Sequence, residues 1–229
     1  MSALDNTSRL ILVPTPIGNL EDITLRALRI LKECDFILAE DTRQTLKLLN
    51  HYSIDKSVYS YHQNNEHKIL ESMVQRIMAS TTVALVTDAG TPAISDPGFL
   101  LVRECLKNNV DVECLPGATA FVPAIVNSGL PCERFIYEGF LPHKKGKETR
   151  IKKIAASDCT TVLYESPHRV VKTLESLAQF CGEDRLCSVS RELTKHFEET
   201  FRGTLRQAVI HFQTNEPRGE FVLVVNAAD

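Results

Sequence analysis

Three loops rich in glycine, proline and small polar residues could together form a pocket for a small molecule. They span residues 14–20, 87–98 and 115–119, and each follows a segment predicted to be a strand. Small residues let the backbone approach a ligand closely, and the N–H groups of a following helix suit a carboxylate or hydroxyl. Any one of these loops alone is more simply an ordinary strand-to-helix turn. Three of them at one edge of a sheet favour a binding pocket.

Three polar clusters also follow predicted strands, at residues 40–43, 165–169 and 191–195. Each mixes acids with bases, so each could position a substrate or remove its proton. Each could instead be a helix cap with local ion pairs, because acids favour helix starts. A lone histidine is weak evidence for catalysis, so His168 is more simply a structural residue or a surface contact.

A basic segment at residues 144–153 carries six positive charges and one acid, Glu148. This segment could be a solvated helix face, or it could be an arm that contacts the phosphates of a nucleic acid. The net charge of −3 does not exclude RNA, because a local basic patch can suffice. The positive residues are Lys144, Lys145, Lys147, Arg150, Lys152 and Lys153.

The motifs that the sequence lacks limit the classes of ligand and the cellular compartment that we expect. The sequence has neither GxxxxGK[ST] nor GxGxxG after its first predicted strand, which disfavours a polyphosphate site. Its seven cysteines never form CxxC, and Cys181 and Cys187 have no neighbouring histidine cluster, so no metal is expected. The first ten residues lack the apolar core of a signal peptide, and apolar runs are too short to span a membrane. We therefore expect a reduced, cytoplasmic protein.

Apolar periodicity in the first half predicts strands alternating with helices. Near-continuous apolar strands in such an alternation indicate a parallel α/β sheet with helices on both faces. The predicted strands are residues 10–13, 36–39, 83–86 and 110–115. The predicted helices are residues 24–32, 42–52, 66–79, 99–107 and 118–127.

The second half also alternates, and its pattern favours a mixed sheet with helices. We predict strands at residues 135–140, 160–164, 186–190, 196–202 and 221–225, and helices at residues 147–156 and 205–212. A further helix is predicted to be capped by Ser166, with Pro167 at its first position.

Net charge changes from −5 in residues 1–138 to +2 in residues 139–229. With the polar, basic stretch that follows, this change predicts a domain boundary between the two segments.

Several motifs between residues 10 and 225 resemble the ribosomal RNA small subunit methyltransferase I family. This family belongs to the tetrapyrrole methylase superfamily, the class III S-adenosylmethionine (SAM)-dependent methyltransferases. PTPIGNLEDIT and DAGTPAISDPG are the specific motifs, and shorter blocks are ILAEDTR, LPGATA, YEGFLP, YESPHR, RELTK and GEFVLVV. Longer family members carry a segment after the last strand, whereas this chain stops at Asp229.

The resemblance implies two α/β domains with SAM in the cleft between them, usually in a homodimer. It also implies methyl transfer to the ribose 2′-hydroxyl of a cytidine in the decoding region of 16S rRNA, in the small ribosomal subunit. Two alternatives stay open: a methyltransferase for a tetrapyrrole-like small molecule, and a non-catalytic RNA-binding factor for ribosome assembly.

The resemblance also implies roles for individual residues. In the first domain the predicted cofactor-binding residues are Ile17, Gly18, Asp88, Ala89, Gly90, Ile94, Ser95, Pro116, Gly117 and Ala118. In the second domain they are Tyr164, Glu165, Ser190 and Arg191, which would offer backbone to the adenine. Residues 16–18 and the cluster at 40–43 would face the substrate.

Methyl transfer from a sulfonium chiefly needs positioning of the nucleophile, and a ribose hydroxyl is a weak acid that a base or cation should assist. The candidate bases are Asp96, Glu40, Asp41 and Glu192, and the candidate cations are Arg43, Lys144, Arg191 and Lys195. The predicted RNA contacts are Lys144, Lys145, Lys147, Arg150, His168, Arg169 and Lys195. A splayed nucleotide is the expected target, because a duplex offers its ribose poorly.

Overall fold

The computed structural model describes residues 8–228, which divide into two compact units at Thr119 and Ala120. Each unit contains one five-stranded sheet. The elements of the first unit are β1 (Arg9–Leu12), a 3₁₀ turn (Leu20–Asp22), α1 (Leu25–Glu33), β2 (Phe36–Ala39), α2 (Thr42–His51), β3 (Val58–Ser60), α3 (Glu66–Met78), β4 (Thr82–Val86), α4 (Phe99–Lys107) and β5 (Asp111–Cys114).

The first sheet has the strand order β3-β2-β4-β1-β5, and all its strand pairs are parallel. Successive side chains of a strand point to opposite faces, so β1 contributes Leu10 and Leu12 to one core and Ile11 to another. Residues of α3 and α4 complete the first core, and residues of α1 and α2 complete the second. The prediction of a parallel sheet with helices on both faces is confirmed.

The elements of the second unit are α5 (Phe121–Ser128), β6 (Phe135–Phe140), α6 (Lys147–Ala155), β7 (Thr160–Glu165), α7 (Val170–Cys181), β8 (Leu186–Arg191), β9 (Glu199–Thr204), α8 (Leu205–Thr214) and β10 (Phe221–Val225). The sheet order is β6-β7-β10-β8-β9. Only the β6–β7 pair is parallel, so the predicted mixed sheet is confirmed. Helices α6, α7 and α8 share one core with this sheet.

Several details differ from the sequence-based expectations, among them the start of α5, which is Phe121 and not Ala118. The boundary between units precedes the predicted one at residue 138, because α5 contacts β8 and β10 and β6 pairs with β7. Strand β3 was not predicted, because it is three residues long and only half-buried. Strand β9 begins at Glu199, where its pairing with Arg191 begins, and not at His196. Helix α7 begins at Val170, beyond the predicted Ser166 cap.

The cysteines are all free thiols. Four of them are buried: Cys34, Cys105, Cys159 and Cys187. Within residues 8–228, no group of three or more His, Cys, Asp or Glu side chains is placed to hold a metal ion. In the same part of the chain, no helix has the length and apolar content needed to cross a membrane.

Candidate functional site

The three loops predicted to form a pocket meet at the carboxyl edge of the first sheet. Thr15 and Gly90 exchange two backbone hydrogen bonds, with N–O distances of 2.9 and 3.0 Å. The Thr15 hydroxyl donates to the Thr87 carbonyl at 3.1 Å. The Thr91 hydroxyl donates to the Ala118 carbonyl at 3.0 Å, which ties the second loop to the third. In open parallel sheets this edge is where ligands bind.

Two glycines explain why these loops can approach one another. Gly90 has a φ of +91°, a conformation that residues with a side chain rarely adopt. A Cβ added to Gly117 would lie only 2.5 Å from the Cβ of Pro14. Between these contacts the backbone is accessible, since Ala89 and Pro116 are exposed. The loops therefore form a cradle of exposed backbone and small side chains.

The loop at residues 87–98 also holds two non-glycine residues in the left-handed region. Ala93 has a φ of 69° and Ser95 a φ of 64°. Such conformations are uncommon outside glycine and are enriched at ligand-binding sites. Ile94 and Asp96 are half-buried in the same turn, and Ser95 is exposed. The predicted site residues 88–96 therefore lie on one tightly folded loop.

The acidic cluster after β2 contacts this loop directly. The Thr87 hydroxyl donates to Glu40 Oε2 at 2.7 Å, and the Asp41 N–H donates to Asp88 Oδ1 at 3.0 Å. Asp88 is solvent-accessible, yet partial desolvation by its surroundings raises the pKa of its carboxyl. The nearby charges of Glu40 and Asp41 act in the same direction. The structure thus brings together two of the predicted groups, residues 40–43 and residues 88–96.

Asp41 caps helix α2 and forms an ion pair with Arg43. Its Oδ1 accepts the Arg43 N–H at 2.9 Å, and the Arg43 guanidinium donates to both carboxylate oxygens at 3.0 and 2.7 Å. The hydrogen bonds from the Arg43 side chain and backbone lower the pKa of Asp41 to about 2. The helix-cap interpretation of this residue is therefore correct.

A cavity of about 450 Å³ opens between the first two loops and helix α2. Its buried floor includes Thr15 and Thr87, and exposed residues of α2 stand at its rim. Sequence reasoning missed the α2 contribution, because polar residues on an exposed helix face look like an ordinary solvated surface. The lining residues are Thr15, Pro16, Gly18, Leu20, Gln44, Thr45, Lys47, Leu48, His51, Thr87 and Asp88.

In the second unit, the fully buried side chain of Glu165 organises a network of donors. Its Oε1 accepts the Ser166 N–H at 2.9 Å and lies 3.3 Å from Arg169 Nε. Its Oε2 accepts the Thr173 hydroxyl at 2.7 Å, and Lys147 Nζ donates to the same hydroxyl at 3.0 Å. Burial lowers the pKa of Lys147, although Glu165 acts in the opposite direction. Glu165, Lys147 and Arg169 therefore stabilise the fold of this unit.

Arg191 and Ser190 lie at the end of β8. Arg191 Nη2 is 3.1 Å from Glu199 Oε2, and His211 Nε2 is 2.6 Å from the other oxygen of Glu199. Arg191 Nε is buried and has no hydrogen-bond partner within residues 8–228. Ser190 is buried, with its hydroxyl 3.3 Å from that of Thr200. The side chains of Ser190 and Arg191 therefore both contact groups of the second unit.

Tyr164 of β7 belongs to an aromatic cluster with residues of β6. Its ring packs edge-on against Tyr137 and Phe140, at centroid distances of 5.3 and 5.6 Å. Its hydroxyl oxygen accepts the N–H of Phe121 at 3.3 Å. Tyr164 thus links β7 to the start of α5.

Glu192 and Lys195 pair with each other in the turn after β8. Glu192 Oε1 accepts from Lys195 Nζ at 2.8 Å and from the Glu220 N–H at 3.0 Å. Burial would raise the pKa of Glu192, but these hydrogen bonds and the adjacent positive charges lower it overall. Lys195 also donates to Glu220 Oε2 at 2.8 Å. Both residues stabilise this turn.

The predicted basic arm is only partly available to a partner. Arg150 is 2.5 Å from Glu138, and Arg169 donates to the Leu141 carbonyl at 2.7 Å. Lys144, Lys145 and His168 are exposed. The accessible cations of this predicted arm therefore include Lys144 and Lys145 before α6 and Lys153 within it.

Comparison with known proteins supplies the class. Residues 9–209 match the family model described as Tetrapyrrole (Corrin/Porphyrin) Methylases. The fold resembles uroporphyrin-III C-methyltransferase from Thermus thermophilus, whose solved structure contains S-adenosyl homocysteine. The TM-score is 0.65 at 21% identity, covering 94% of this chain and 96% of the other. A parallel sheet with a loop-built site at its carboxyl edge, together with this family match, defines a methyltransferase of the tetrapyrrole methylase class.

Relatives with higher sequence identity show which family within this class the chain belongs to. A Synechocystis sp. protein named ribosomal RNA small subunit methyltransferase I is 46% identical over 220 residues, which cover 96% of this chain and 79% of that protein. A Thermotoga maritima protein with the same name is 42% identical over 221 residues, covering 96% of this chain and 99% of that protein. The chain belongs to the ribosomal RNA small subunit methyltransferase I family.

Proposed function

We propose that the protein uses SAM to methylate the ribose 2′-hydroxyl of a cytidine in the decoding region of 16S rRNA. The observation that carries this proposal is the similarity, over nearly the whole chain, to relatives named for methylation of small-subunit ribosomal RNA. The cytidine ribose is the acceptor implied by the motifs between residues 10 and 225. The same resemblance supports a homodimer that acts in the cytoplasm.

The first unit supports SAM binding. Its cradle around Gly90 and Gly117 includes the exposed residues Ala89, Pro116 and Gly117, which are among the predicted cofactor residues. When bound, SAM supplies an electrophilic methyl group on a sulfonium sulfur. The protein then has to hold the acceptor hydroxyl close to that methyl group and accept its proton.

We infer a partial ranking of the four candidate bases from their hydrogen bonds. Asp41, with a pKa of about 2, binds a proton poorly, and the pKa of Glu192 is also lowered. These two are therefore the poorer candidates. Asp88, whose pKa is raised, is a further candidate, because its carboxyl holds a proton more readily.

The decisive experiment incubates the purified protein and methyl-labelled SAM with small ribosomal subunits from cells that lack this enzyme. We expect label on one cytidine ribose of the decoding region, located by mapping the labelled nucleotide. Tight SAM binding without label on RNA would contradict the RNA assignment and favour a small-molecule acceptor. If the protein neither labels RNA nor binds SAM, a non-catalytic role in ribosome assembly becomes the better explanation.

The choice of base can be tested in the same assay. We expect Glu40→Gln or Asp96→Asn to lower kcat by 10²-fold or more if that carboxylate accepts the proton, since general base catalysis contributes roughly 10²–10⁴-fold. Glu71→Gln, at an exposed position of α3, is the matched control and should leave kcat unchanged. Unchanged kcat in both test variants would exclude these two carboxylates.

A further inference from the structure

The cavity beside helix α2 has three chemically different walls. Lys47 and His51 are exposed at its rim, and Lys47 Nζ donates to Gln44 Oε1 at 3.2 Å. Apolar surface comes from Pro16, Leu20 and Leu48, and the floor contains the buried residues Thr15 and Thr87. Asp88 is the one carboxylate of the lining. A ligand that fits all of these has an anionic part, an apolar face and polar edges.

The walls of the cavity are held in place by hydrogen bonds. The Tyr52 hydroxyl, just beyond α2, donates to the Leu20 carbonyl at 2.6 Å. At the other end of the helix, the Asp41 cap and its N–H bond to Asp88 connect α2 to the loop after β4. A site fixed in this way loses little conformational freedom when it binds a ligand.

The cavity shares two of the three predicted pocket loops but few of the predicted cofactor residues. None of residues 89–95 or 116–118 lines it, and Gly18 and Asp88 are the two predicted cofactor residues that do. An occupant would therefore lie beside a cofactor held by residues 88–95. This is the position that a methyl acceptor has to take.

We propose that this cavity receives the acceptor nucleotide, extruded from the RNA strand. Lys47 contacts its phosphate, Leu20 and Leu48 face its base, and the ribose points towards Asp88. The volume of about 450 Å³ lies within the roughly 300–1,000 Å³ typical of small-molecule sites. Enzymes that modify nucleotides commonly act on bases taken out of the stack. This inference rests on the proposed function and assigns the substrate side of its site to residues of α2.

Two substitutions on exposed positions of α2 test the proposal. Lys47→Glu reverses the charge at the rim, and Gln44→Trp fills the mouth of the cavity with a large ring. Lys68→Glu and Gln75→Trp are the matched controls, because both positions are exposed on α3, on the opposite face of the first sheet. The assay measures kcat and KM on small ribosomal subunits with labelled SAM, and calorimetry measures the Kd for SAM alone.

For Lys47→Glu we expect KM for the subunits to rise about tenfold. The dependence of RNA affinity on salt concentration should fall by the amount that about one phosphate contact contributes. For Gln44→Trp we expect kcat/KM to fall at least tenfold. Neither variant should change the Kd for SAM, and both controls should match the wild type.

Three outcomes are distinguishable. If the wild type methylates the subunits and both test variants match their controls, the cavity does not hold the acceptor. A weakened affinity for SAM in either variant would assign the cavity to the cofactor and equally overturn the inference. A wild type that transfers no label to RNA contradicts the proposed function itself, before any variant is compared.

Discussion

Several charged residues that look catalytic in the sequence are bound to neighbouring protein groups. Asp41 caps α2 and binds Arg43, and Glu192 binds Lys195 and the Glu220 N–H. A carboxylate that accepts such hydrogen bonds is stabilised in its charged form. Its pKa falls, and with it the ability to take a proton from a ribose hydroxyl. At the scale of single residues, local hydrogen bonding decides which of the predicted acids could act as bases.

The Asp41 ion pair predicts a specific dependence of stability on pH. The pKa is about 2 in the folded protein against 3.8 for the unperturbed group, so the charged form is favoured by folding. Its stabilising contribution is therefore present above about pH 4 and lost as the pH falls towards 2. Asp41→Asn keeps a good N-cap but removes the charge. We expect the Tm difference between wild type and variant to shrink as the pH falls from about 4 to about 2. A Tm difference that persists unchanged at pH 2 would show that it does not come from the ion pair.

Glu165 gives a residue-scale prediction about stability. Its fully buried carboxylate faces Arg169 and receives the hydroxyl of Thr173. Glu165→Gln removes the charge that compensates Arg169 and should lower the free energy of unfolding by about 2 kcal/mol. Glu148→Gln breaks an exposed pair with Lys152 and should change it by less than about 0.5 kcal/mol. Urea denaturation measures both, and equal losses would refute the role given to burial.

At the scale of elements, helix α8 has a complete capping box. The Thr204 hydroxyl accepts the Gln207 N–H at 3.3 Å, and Gln207 Oε1 accepts the Thr204 N–H at 3.0 Å. Both groups satisfy N–H donors that a helix start leaves unpaired. The box also joins α8 directly to the end of β9.

Loss of this box should be measurable. We expect Thr204→Ala to lower the free energy of unfolding by about 1 kcal/mol. Thr214→Ala, at the last position of the same helix, removes a hydroxyl that bonds only within its own helix, to the Ile210 carbonyl. It should change stability by less than about 0.5 kcal/mol. Chemical denaturation that ranks the two variants in the reverse order would contradict the assignment.

Apolar runs in the sequence predicted most of the helices and strands. A strand that is buried on both faces of its sheet consists almost entirely of apolar residues, so it is recognisable in the sequence. The pattern failed where tertiary pairing decides the outcome. Strand β3 forms because Val58–Ser60 pairs with β2, and β9 is displaced because Glu199 pairs with Arg191. The candidate site follows the same rule. Its glycine-rich loops were recognisable from residue types, whereas Lys47 and His51 became candidates only once α2 was seen beside the loops.

At the scale of the whole molecule, the accessible basic surface is smaller than the sequence suggests. Lys147, Arg150 and Arg169 make contacts inside the second unit, while Lys144 and Lys145 stay exposed. An RNA contact assigned to this segment therefore depends on its exposed lysines, of which Lys144 and Lys145 precede α6 and Lys153 lies in it. Substitution of Lys147 would instead test folding.

We therefore expect the double substitution Lys144→Glu/Lys145→Glu to weaken binding to small ribosomal subunits and to reduce the salt dependence by about two phosphate contacts. The thermal stability should be unchanged. Lys32→Glu/Lys68→Glu, two exposed positions of the first unit, carries the same charge change as a control. Filter binding at several salt concentrations measures the effect, and equal losses in both double variants would indicate a non-specific response to net charge.

The strand order of the second sheet has a consequence for folding during translation. β10, the last strand of the chain to be made, lies between β7 and β8, so the two halves of that sheet lack their shared neighbour until translation reaches residue 225. The first unit has all five of its strands after Cys114 and can close while synthesis continues. An enzyme proposed to modify ribosomes would thus complete its second sheet only after a ribosome has translated residue 225.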